Sequence, residues 1–265
     1  MQKTYNVVVF GETGVGKSSI VNLITGHDVA QVSSDAVGCT KDVADYAVEL
    51  DSALFHIWDT PGLESAQTTT SEEHQTTTLA KTYSRIWKLQ SENGGIDLLV
   101  YCITGRRDIS VNLPSTIQSH YRLFYELLGG TKVPVVLVVT EVERGVQEWW
   151  KENRKRLERL DVKVSGHVCV RDADSKAVMS AMAEALRDLI KANCTPPPAR
   201  QQYGFVRDNL WWRKEMVKSW LDPKMLPEWR KRGIQERTVL HILVSRCGLD
   251  MVEAEKLVKE MRIVG

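Results

Sequence analysis

Residues able to bind phosphate and metal are concentrated near the N-terminus, in Gly11-Glu12-Thr13-Gly14-Val15-Gly16-Lys17-Ser18. The stretch has the spacing G-x-x-x-x-G-K-[ST], in which glycines allow successive backbone N–H groups to surround a β-phosphate. Lys17 would reach the β- and γ-phosphate oxygens, the Ser18 hydroxyl would ligate Mg²⁺, and Ser19 would contact the α-phosphate. We therefore expect a nucleoside phosphate site here. The alternative, a chance glycine-rich turn, is disfavoured by the apolar run before the loop and the helical pattern after it.

A second motif, Asp59-Thr60-Pro61-Gly62, directly follows an apolar run at 54–58. In that place Asp59 would face the metal, and the Gly62 N–H would face the γ-phosphate. A Pro-Gly turn that merely ends a strand is the alternative, but the two motifs together are far more specific than either alone. Between them, Thr40 is the candidate for a threonine that closes over Mg²⁺ and the γ-phosphate. A solvated loop residue is the alternative for Thr40.

These motifs must be positioned by strands and helices, which the apolar pattern of the chain predicts. Short β-branched runs, each followed by a turn and a polar segment of helical length, recur at 5–10, 54–58, 96–103, 133–139 and 167–170. This alternation predicts an α/β fold with a mostly parallel sheet and helices on both faces, and an alternating run at 46–50 predicts an edge strand. Helices are expected at 17–25, 72–90, 113–128, 146–160 and 176–192.

The length of 265 residues suits one large domain with an appendage. At Thr195-Pro196-Pro197-Pro198 the strand and helix alternation ends, since consecutive prolines cannot continue a helix and favour an extended connector. We therefore place a boundary there, with an α/β domain at 1–195 and a helical extension at 196–265. Within the extension, helices are expected at 205–221, 238–244 and 249–261.

The extension is the basic part of a chain whose formal net charge is +1. Lysines and arginines are interleaved there with four tryptophans, Trp211, Trp212, Trp220 and Trp229. Such a segment could contact a membrane interface or a partner. A helical cap packed on the first domain is favoured, because a monomer rarely exposes so much apolar surface. The charge asymmetry is too weak to predict a nucleic-acid partner.

Cysteine usage and the N-terminus bear on the compartment. The five cysteines are widely spaced and form neither a C-x-x-C redox pair nor a zinc pattern, which favours a reducing compartment. Neither a signal peptide nor an apolar stretch of about 18 residues, as a membrane span requires, is visible. A cytoplasmic protein is the expectation.

The order of phosphate loop, lone threonine, D-T-P-G and hydrophobic strand resembles the translation-factor-like GTPases, whose Ras-like architecture would cover residues 5–193. Within that class, Gly11-Glu12-Thr13-Gly14, Cys39-Thr40-Lys41 and Ile103-Thr104-Gly105-Arg106-Arg107 are similar to the immunity-associated (GIMAP-like) and chloroplast import-receptor GTPases. In those relatives an arginine after the fourth core strand contacts nucleotide across a dimer. The resemblance therefore implies a homodimer through the nucleotide face, with Arg106 as the matching arginine.

The motif by which these GTPases read the base, N/T-K-x-D, stands here as Thr140-Glu141-Val142-Glu143, without its lysine. The Glu143 carboxylate could accept hydrogen bonds from guanine N1–H and the N2 amine, whereas it would repel the N1 acceptor of adenine. Guanine is therefore favoured, and the alternative is a solvated Glu143 with the base read elsewhere. The family's Ser-Ala loop is replaced by Val170-Arg171-Asp172-Ala173, so Arg171 and Asp172 become base-site candidates.

Many GTPases position the attacking water with a glutamine directly after D-x-x-G, and this chain has Leu63 there. The nearby side chains Glu64 and Gln67, and the backbones of Thr40 and Gly62, are the candidates to replace it. An arginine supplied in trans could stabilise the charge on the transferring phosphoryl group. A surface or sheet-edge arginine is the alternative reading of Arg106.

These residues lead to the hypothesis of a Mg²⁺-dependent enzyme that hydrolyses the γ-phosphate of GTP by in-line attack of water, with GTP and GDP as its ligands. Lys17, Ser18, Asp59 and Thr40 would hold the phosphates and the metal. Two alternatives stay open. Leu63 favours a nucleotide-gated binding module with negligible turnover, and the missing lysine favours an NTPase with relaxed base specificity.

Overall fold

The structure is a computed structural model. It describes residues 2–31, 42–63, 82–83, 85–86, 89, 95–106, 114–128, 133–142, 146–171, 175–194, 239–247 and 249–264. The strands are β1 (Thr4–Gly11), β2 (Ala44–Leu50), β3 (Ala53–Asp59), β4 (Leu98–Thr104), β5 (Val135–Thr140) and β6 (Gly166–Cys169).

These strands form one six-stranded sheet in the order β2-β3-β1-β4-β5-β6. The pairs from β3 to β6 are parallel, and β2 pairs antiparallel with β3 at the edge. The near-continuous apolar runs thus lie in a parallel sheet that is buried on both faces, as the pattern predicts. The alternating run forms the edge strand β2, in which exposed residues alternate with partly buried ones.

The helices cover the two faces of this sheet. They are α1 (Lys17–Thr25), α2 (Pro114–Arg122), α3 (Val146–Arg159), α4 (Lys176–Asn193) and α5 (Met251–Val264), with π-helices at Leu123–Leu128 and Ile242–Arg246. The π-helix at Leu123–Leu128 directly continues α2, so the expected helix at 113–128 is present with a change of hydrogen-bond register. Of the expected helix at 72–90, only 82–83, 85–86 and 89 are described, and these residues are helical.

Alternate residues of the central strand belong to opposite cores, as the period of two in a strand requires. Val7 and Val9 pack with residues of α1 and α4 in one cluster. Val8 and Phe10 pack with residues of α2, its π-helical continuation and α3 in the other. Phe10 stacks on Phe124 with ring centroids 4.1 Å apart, which fixes the π-helix against the strand that leads into the phosphate loop.

The described C-terminal residues join the second of these cores. Leu240, Leu243 and Leu257 are buried in the same apolar cluster as Phe124. The Arg246 guanidinium binds both carboxylate oxygens of Glu126 at 2.5 and 2.6 Å. These C-terminal residues therefore share an apolar core with the helices beside the sheet. The proline connector, where the domain boundary is expected, and the tryptophan-rich stretch lie outside the described residues. Among the helices that the structure describes, none is both long and apolar enough to cross a membrane.

Candidate functional site

The phosphate loop connects the central strand β1 to α1. The strand order reverses direction at β1, since β3 lies on one side of it and β4 on the other. Open α/β sheets bind ligands at such a point, beyond the carboxyl ends of the strands. Gly14 and Gly16 have φ angles of +76° and +86°, left-handed conformations that glycine adopts without steric cost. Helix α1 begins directly after Gly16, so the N–H groups of its first turn lie next to the loop.

Lys17 lies under this loop and is 6% exposed. Its Nζ donates hydrogen bonds to the carbonyl oxygens of Gly11 at 3.3 Å and Glu12 at 3.0 Å. Burial lowers the pKa of the Lys17 ammonium, and the negative charge of Asp59 is the strongest influence opposing that shift. The cation is therefore anchored by main-chain oxygens beside the loop, where a phosphate would supply further negative charge.

Ser18 and Asp59 meet at the carboxyl end of β3. The Ser18 hydroxyl donates a hydrogen bond of 3.0 Å to Asp59 Oδ2, and Asp59 is 1% exposed. Parallel pairing of Val9 with Asp59 brings this carboxylate level with the start of the phosphate loop. A hydroxyl and a carboxylate are hard oxygen donors of the kind that Mg²⁺ prefers, so the pair fits a magnesium site.

The residues after Asp59 are bound to the first half of the phosphate loop. Leu63 N donates to Gly11 O at 3.0 Å, and Thr13 N donates to Leu63 O at 2.8 Å. A Cβ atom at Gly62 would lie 2.5 Å from Thr13 Cα, which no side chain tolerates. The D-T-P-G motif is therefore a segment held against the loop by main-chain hydrogen bonds, and glycine at position 62 permits that contact.

The second half of the loop faces β5 and β6. Thr140 Oγ1 donates to Val15 O at 2.8 Å and thereby ties the end of β5 to the loop. A cavity of about 920 Å³ opens beside it, lined among others by Gly16, Ser19, Thr140 and Arg171. A cavity of this size accommodates a small-molecule ligand. The expected base site and the expected phosphate site are thus adjacent.

Glu141 lines the same cavity and has an unusual backbone, with a φ of +55°. Its carboxylate accepts a hydrogen bond from Thr104 Oγ1 at 3.0 Å and lies 3.6 Å from Arg106 Nη1. Non-glycine residues with positive φ are often found at functional sites. The Arg106 side chain is 56% exposed, so this arginine lies at the surface beside the cavity.

The structure brings together the phosphate-loop candidates, Asp59, Gly62, Thr140, Arg106 and Arg171. The other candidates, Thr40, Glu64, Gln67, Glu143 and Asp172, lie outside the described residues. Sequence reasoning missed the contacts of Glu141. Its place in the altered base motif was visible, but neither its positive φ nor its contacts with Thr104 and Arg106 could be inferred from that pattern.

Comparison with known proteins gives matches over the α/β part of the chain. A family model described as 50S ribosome-binding GTPase matches residues 6–160. The tRNA modification GTPase MnmE of Coxiella burnetii is 34% identical over 73 residues, which are 28% of this chain and 16% of that protein. The chain therefore spans a small part of the length of this curated relative.

Two solved structures share the fold. Era of Aquifex aeolicus, bound to GDP·AlF₄⁻, matches with a TM-score of 0.54 and 17% identity, covering 73% of this chain and 58% of that one. A dimerization-deficient mutant of Toc33 from Arabidopsis thaliana matches with a TM-score of 0.53 and 18% identity, covering 72% and 85%. At identities of 17% and 18%, these two matches show a shared fold and nothing further.

Proposed function

Since this chain belongs to the family described as 50S ribosome-binding GTPases, we propose that it binds GTP with Mg²⁺ and hydrolyses the γ-phosphate by in-line attack of water. Membership confirms the resemblance to P-loop GTPases, and the shared fold confirms the Ras-like architecture. For the family as a whole, GTP binding and hydrolysis are the activity. The Mg²⁺ dependence, the individual residue roles and the cytoplasmic location are our proposals for this chain.

The observation that carries the proposal is the convergence of two separate motifs on one loop. Lys17 lies beneath the loop, the Ser18–Asp59 hydrogen bond closes one end of it, and the segment after Asp59 is bonded to its first half. Lys17 would bind the β- and γ-phosphate oxygens, and the Gly62 N–H would donate to the γ-phosphate. Phosphoryl transfer depends on such positioning and charge stabilisation, because the protein contributes little covalent chemistry.

Ser18 and Asp59 would hold Mg²⁺, and Thr40 is proposed as the residue that closes over the metal and the γ-phosphate. When bound, the metal neutralises negative charge that develops on the phosphate oxygens. Ser18 would then give up its hydrogen bond to Asp59 and turn an oxygen lone pair towards the metal. Asp59 keeps its orientation because β3 is hydrogen-bonded on both sides.

At the base end we propose guanine as the preferred base, with Glu143 accepting its N1–H and N2 hydrogens. Arg171 at the cavity and the neighbouring Asp172 would complete that end. Competition of GTP and ATP for the wild-type protein tests the preference directly. If ATP competes as well as GTP, an NTPase of relaxed base specificity replaces this part of the proposal.

The phosphate site is tested with Lys17→Ala and Ser18→Asn in the full chain. Each substitution removes a phosphate or metal contact without removing core packing, so fluorescent GTP should bind at least tenfold more weakly in the presence of Mg²⁺. Lys151→Ala is the matched control, because Lys151 is an exposed lysine on α3. Unchanged affinity in both site variants would contradict the assignment of the loop.

A nucleotide-gated binding module with negligible turnover is the second candidate. The observation in its favour is Leu63, which packs against the apolar cluster and offers no hydrogen-bonding group from its side chain. Steady-state phosphate release separates the two candidates. Turnover indistinguishable from buffer, together with intact GTP binding, would favour the binding module.

We further propose that turnover is stimulated by a homodimer in which Arg106 reaches the nucleotide of the second copy. Among the described residues, the exposed Arg106 guanidinium pairs with Glu141 at 3.6 Å. An exposed ion pair of this kind contributes little stability, so Arg106 could leave it for another anion at little cost. Specific activity should therefore rise with protein concentration, and Arg106→Ala should flatten the rise while GTP affinity stays nearly unchanged. Arg154→Ala on the surface of α3 is the matched control. Activity per molecule that is constant from roughly nanomolar to tens of micromolar protein would reject the dimer.

A further inference from the structure

The missing glutamine at position 63 leaves open which group orients the attacking water, and the packing around Leu63 narrows the choice. Both main-chain polar groups of Leu63 are bonded to the phosphate loop, to Gly11 and to Thr13. Its side chain packs against the apolar cluster that contains Phe10 and Tyr83. Residue 63 is therefore an anchor of the segment, and its own side chain is directed into the core.

In the phosphate loop, Thr13 has a polar side chain that lies against Leu63. Its Oγ1 is 3.4 Å from Leu63 O, and a Cβ atom at Gly62 would collide with that same Oγ1. The hydroxyl is thus next to the residue whose N–H is expected to face the γ-phosphate. Thr13 is half-buried, as expected for a residue that lines the site.

The two halves of the phosphate loop face different ends of the nucleotide. Gly11 and Thr13 are bonded to the Asp59–Leu63 segment, whereas Val15 is bonded to Thr140 at the base end. Thr13 therefore lies at the γ-phosphate end. A hydroxyl has one hydrogen to donate and two lone pairs to accept with, so a Thr13 that donates to Leu63 O still presents acceptors towards the site.

We propose that Thr13 is a positioning residue for hydrolysis: its hydroxyl donates to Leu63 O and accepts a hydrogen bond from the attacking water. The water oxygen forms a bond to the γ-phosphorus as the bond from phosphorus to the bridging oxygen breaks, and that electron pair leaves with GDP. Both water hydrogens end on the released phosphate, which leaves as H₂PO₄⁻, and Thr13 keeps its own proton. The inference rests on the proposed GTPase function.

The test compares Thr13→Val, which keeps the shape of threonine without the hydroxyl, with Thr13→Ser, which keeps the hydroxyl. Full-length protein is loaded with GTP and Mg²⁺, and phosphate release is followed in a single turnover. A misplaced water lowers such a rate by about 10- to 100-fold. We expect that loss for Thr13→Val, near wild-type rates for Thr13→Ser, and a dissociation constant for fluorescent GTP that changes less than about threefold in both.

Thr25→Val is the control for loss of a hydroxyl elsewhere. Thr25 Oγ1 donates to Val21 O at the other end of α1, so this variant should lower the melting temperature without changing the rate. Thr13→Val at the wild-type rate would overturn the inference and leave Glu64 and Gln67 as the candidates. Equal loss of GTP binding and hydrolysis would overturn it too, because it would make Thr13 a structural residue.

Wild-type turnover distinguishes the failure of this inference from that of the proposed function. If the wild-type protein binds GTP but releases no phosphate, the hydrolytic function fails and the role of Thr13 fails with it. If the wild type is active and Thr13→Val is equally active, only the role of Thr13 fails.

Discussion

The ion pair between the C-terminal segment and the α/β domain makes a quantitative prediction about stability. Arg246 binds Glu126 through two short hydrogen bonds, and the Glu126 side chain is 6% exposed. Arg246→Ala would leave this carboxylate buried without its main partner. Removing one member of a buried ion pair costs about 3–5 kcal/mol.

Two features of the pair reduce that magnitude. The Arg246 side chain is 33% exposed, so solvent already screens part of the interaction. Arg122 Nε also lies 3.7 Å from Glu126 and keeps part of the compensating charge. We therefore expect Arg246→Ala to lower the free energy of unfolding by about 2–3 kcal/mol. For a chain of this size, each kcal/mol shifts the melting temperature by about 2–4 °C, so the decrease should be about 4–12 °C.

The assay is thermal unfolding of the full chain followed by circular dichroism. Arg154→Ala is the matched control, since Arg154 and Glu158 form an exposed pair at 2.8 Å on α3, and its loss should cost about 0.5 kcal/mol or less. The double substitution Glu126→Leu with Arg246→Met should recover part of the loss, because apolar groups of similar volume replace buried ion pairs well, while Arg122 loses its carboxylate partner. A melting temperature for Arg246→Ala equal to that of Arg154→Ala would refute the view that this pair holds the segment in place.

Three further outcomes are expected. Gly62→Ala should force the segment away from Thr13 and weaken binding of a GTP analogue by about tenfold while GDP affinity changes little, which competition titrations measure. Deleting residues 196–265 should lower the solubility or the melting temperature, because it exposes the apolar surface that these residues cover. If the truncated protein is equally stable and the full-length protein binds anionic vesicles, the membrane alternative is favoured. Burial, and in second place the charge of Arg154, lowers the pKa of His167 in the folded protein. As the pH falls below about 6.5, this histidine is protonated more readily in the unfolded chain than in the folded one, so the free energy of unfolding decreases. His167→Phe keeps the stack on Trp150 and should make that fall shallower, as melting temperatures across this pH range will show.

The sequence predicted the parts of the fold that local pattern determines. Helix α1 runs over Lys17–Thr25 as expected, because a glycine at each end stops the helix and an apolar stripe lies between. The five apolar runs became the core strands, and the alternating run became the antiparallel edge. The fold class and the phosphate end of the site follow from such local signals.

Contacts between distant residues were beyond this reasoning. Glu126 and Arg246 are 120 positions apart, and each on its own reads as a solvated helix charge. Glu141 was seen as a changed motif residue, but its contact with Thr104 depends on how β4 and β5 align in the sheet. Periodicity tells which face of an element is apolar, and it does not tell which polar side chain on another element will be its neighbour.

The central position of β1 divides the nucleotide site into two halves that can change independently. The segment on the β3 side contacts Gly11 and Thr13, and the β5 side contacts the loop through Thr140 and Val15. The two sides bond different residues of the loop, so a substitution on one side leaves the hydrogen bonds of the other side in place. If the proposed base site is correct, the residues after β5 and β6 can change base preference while the bonds between the loop and the segment after β3 are kept, which gives a physical reason why a chain with an altered base motif retains an intact phosphate loop.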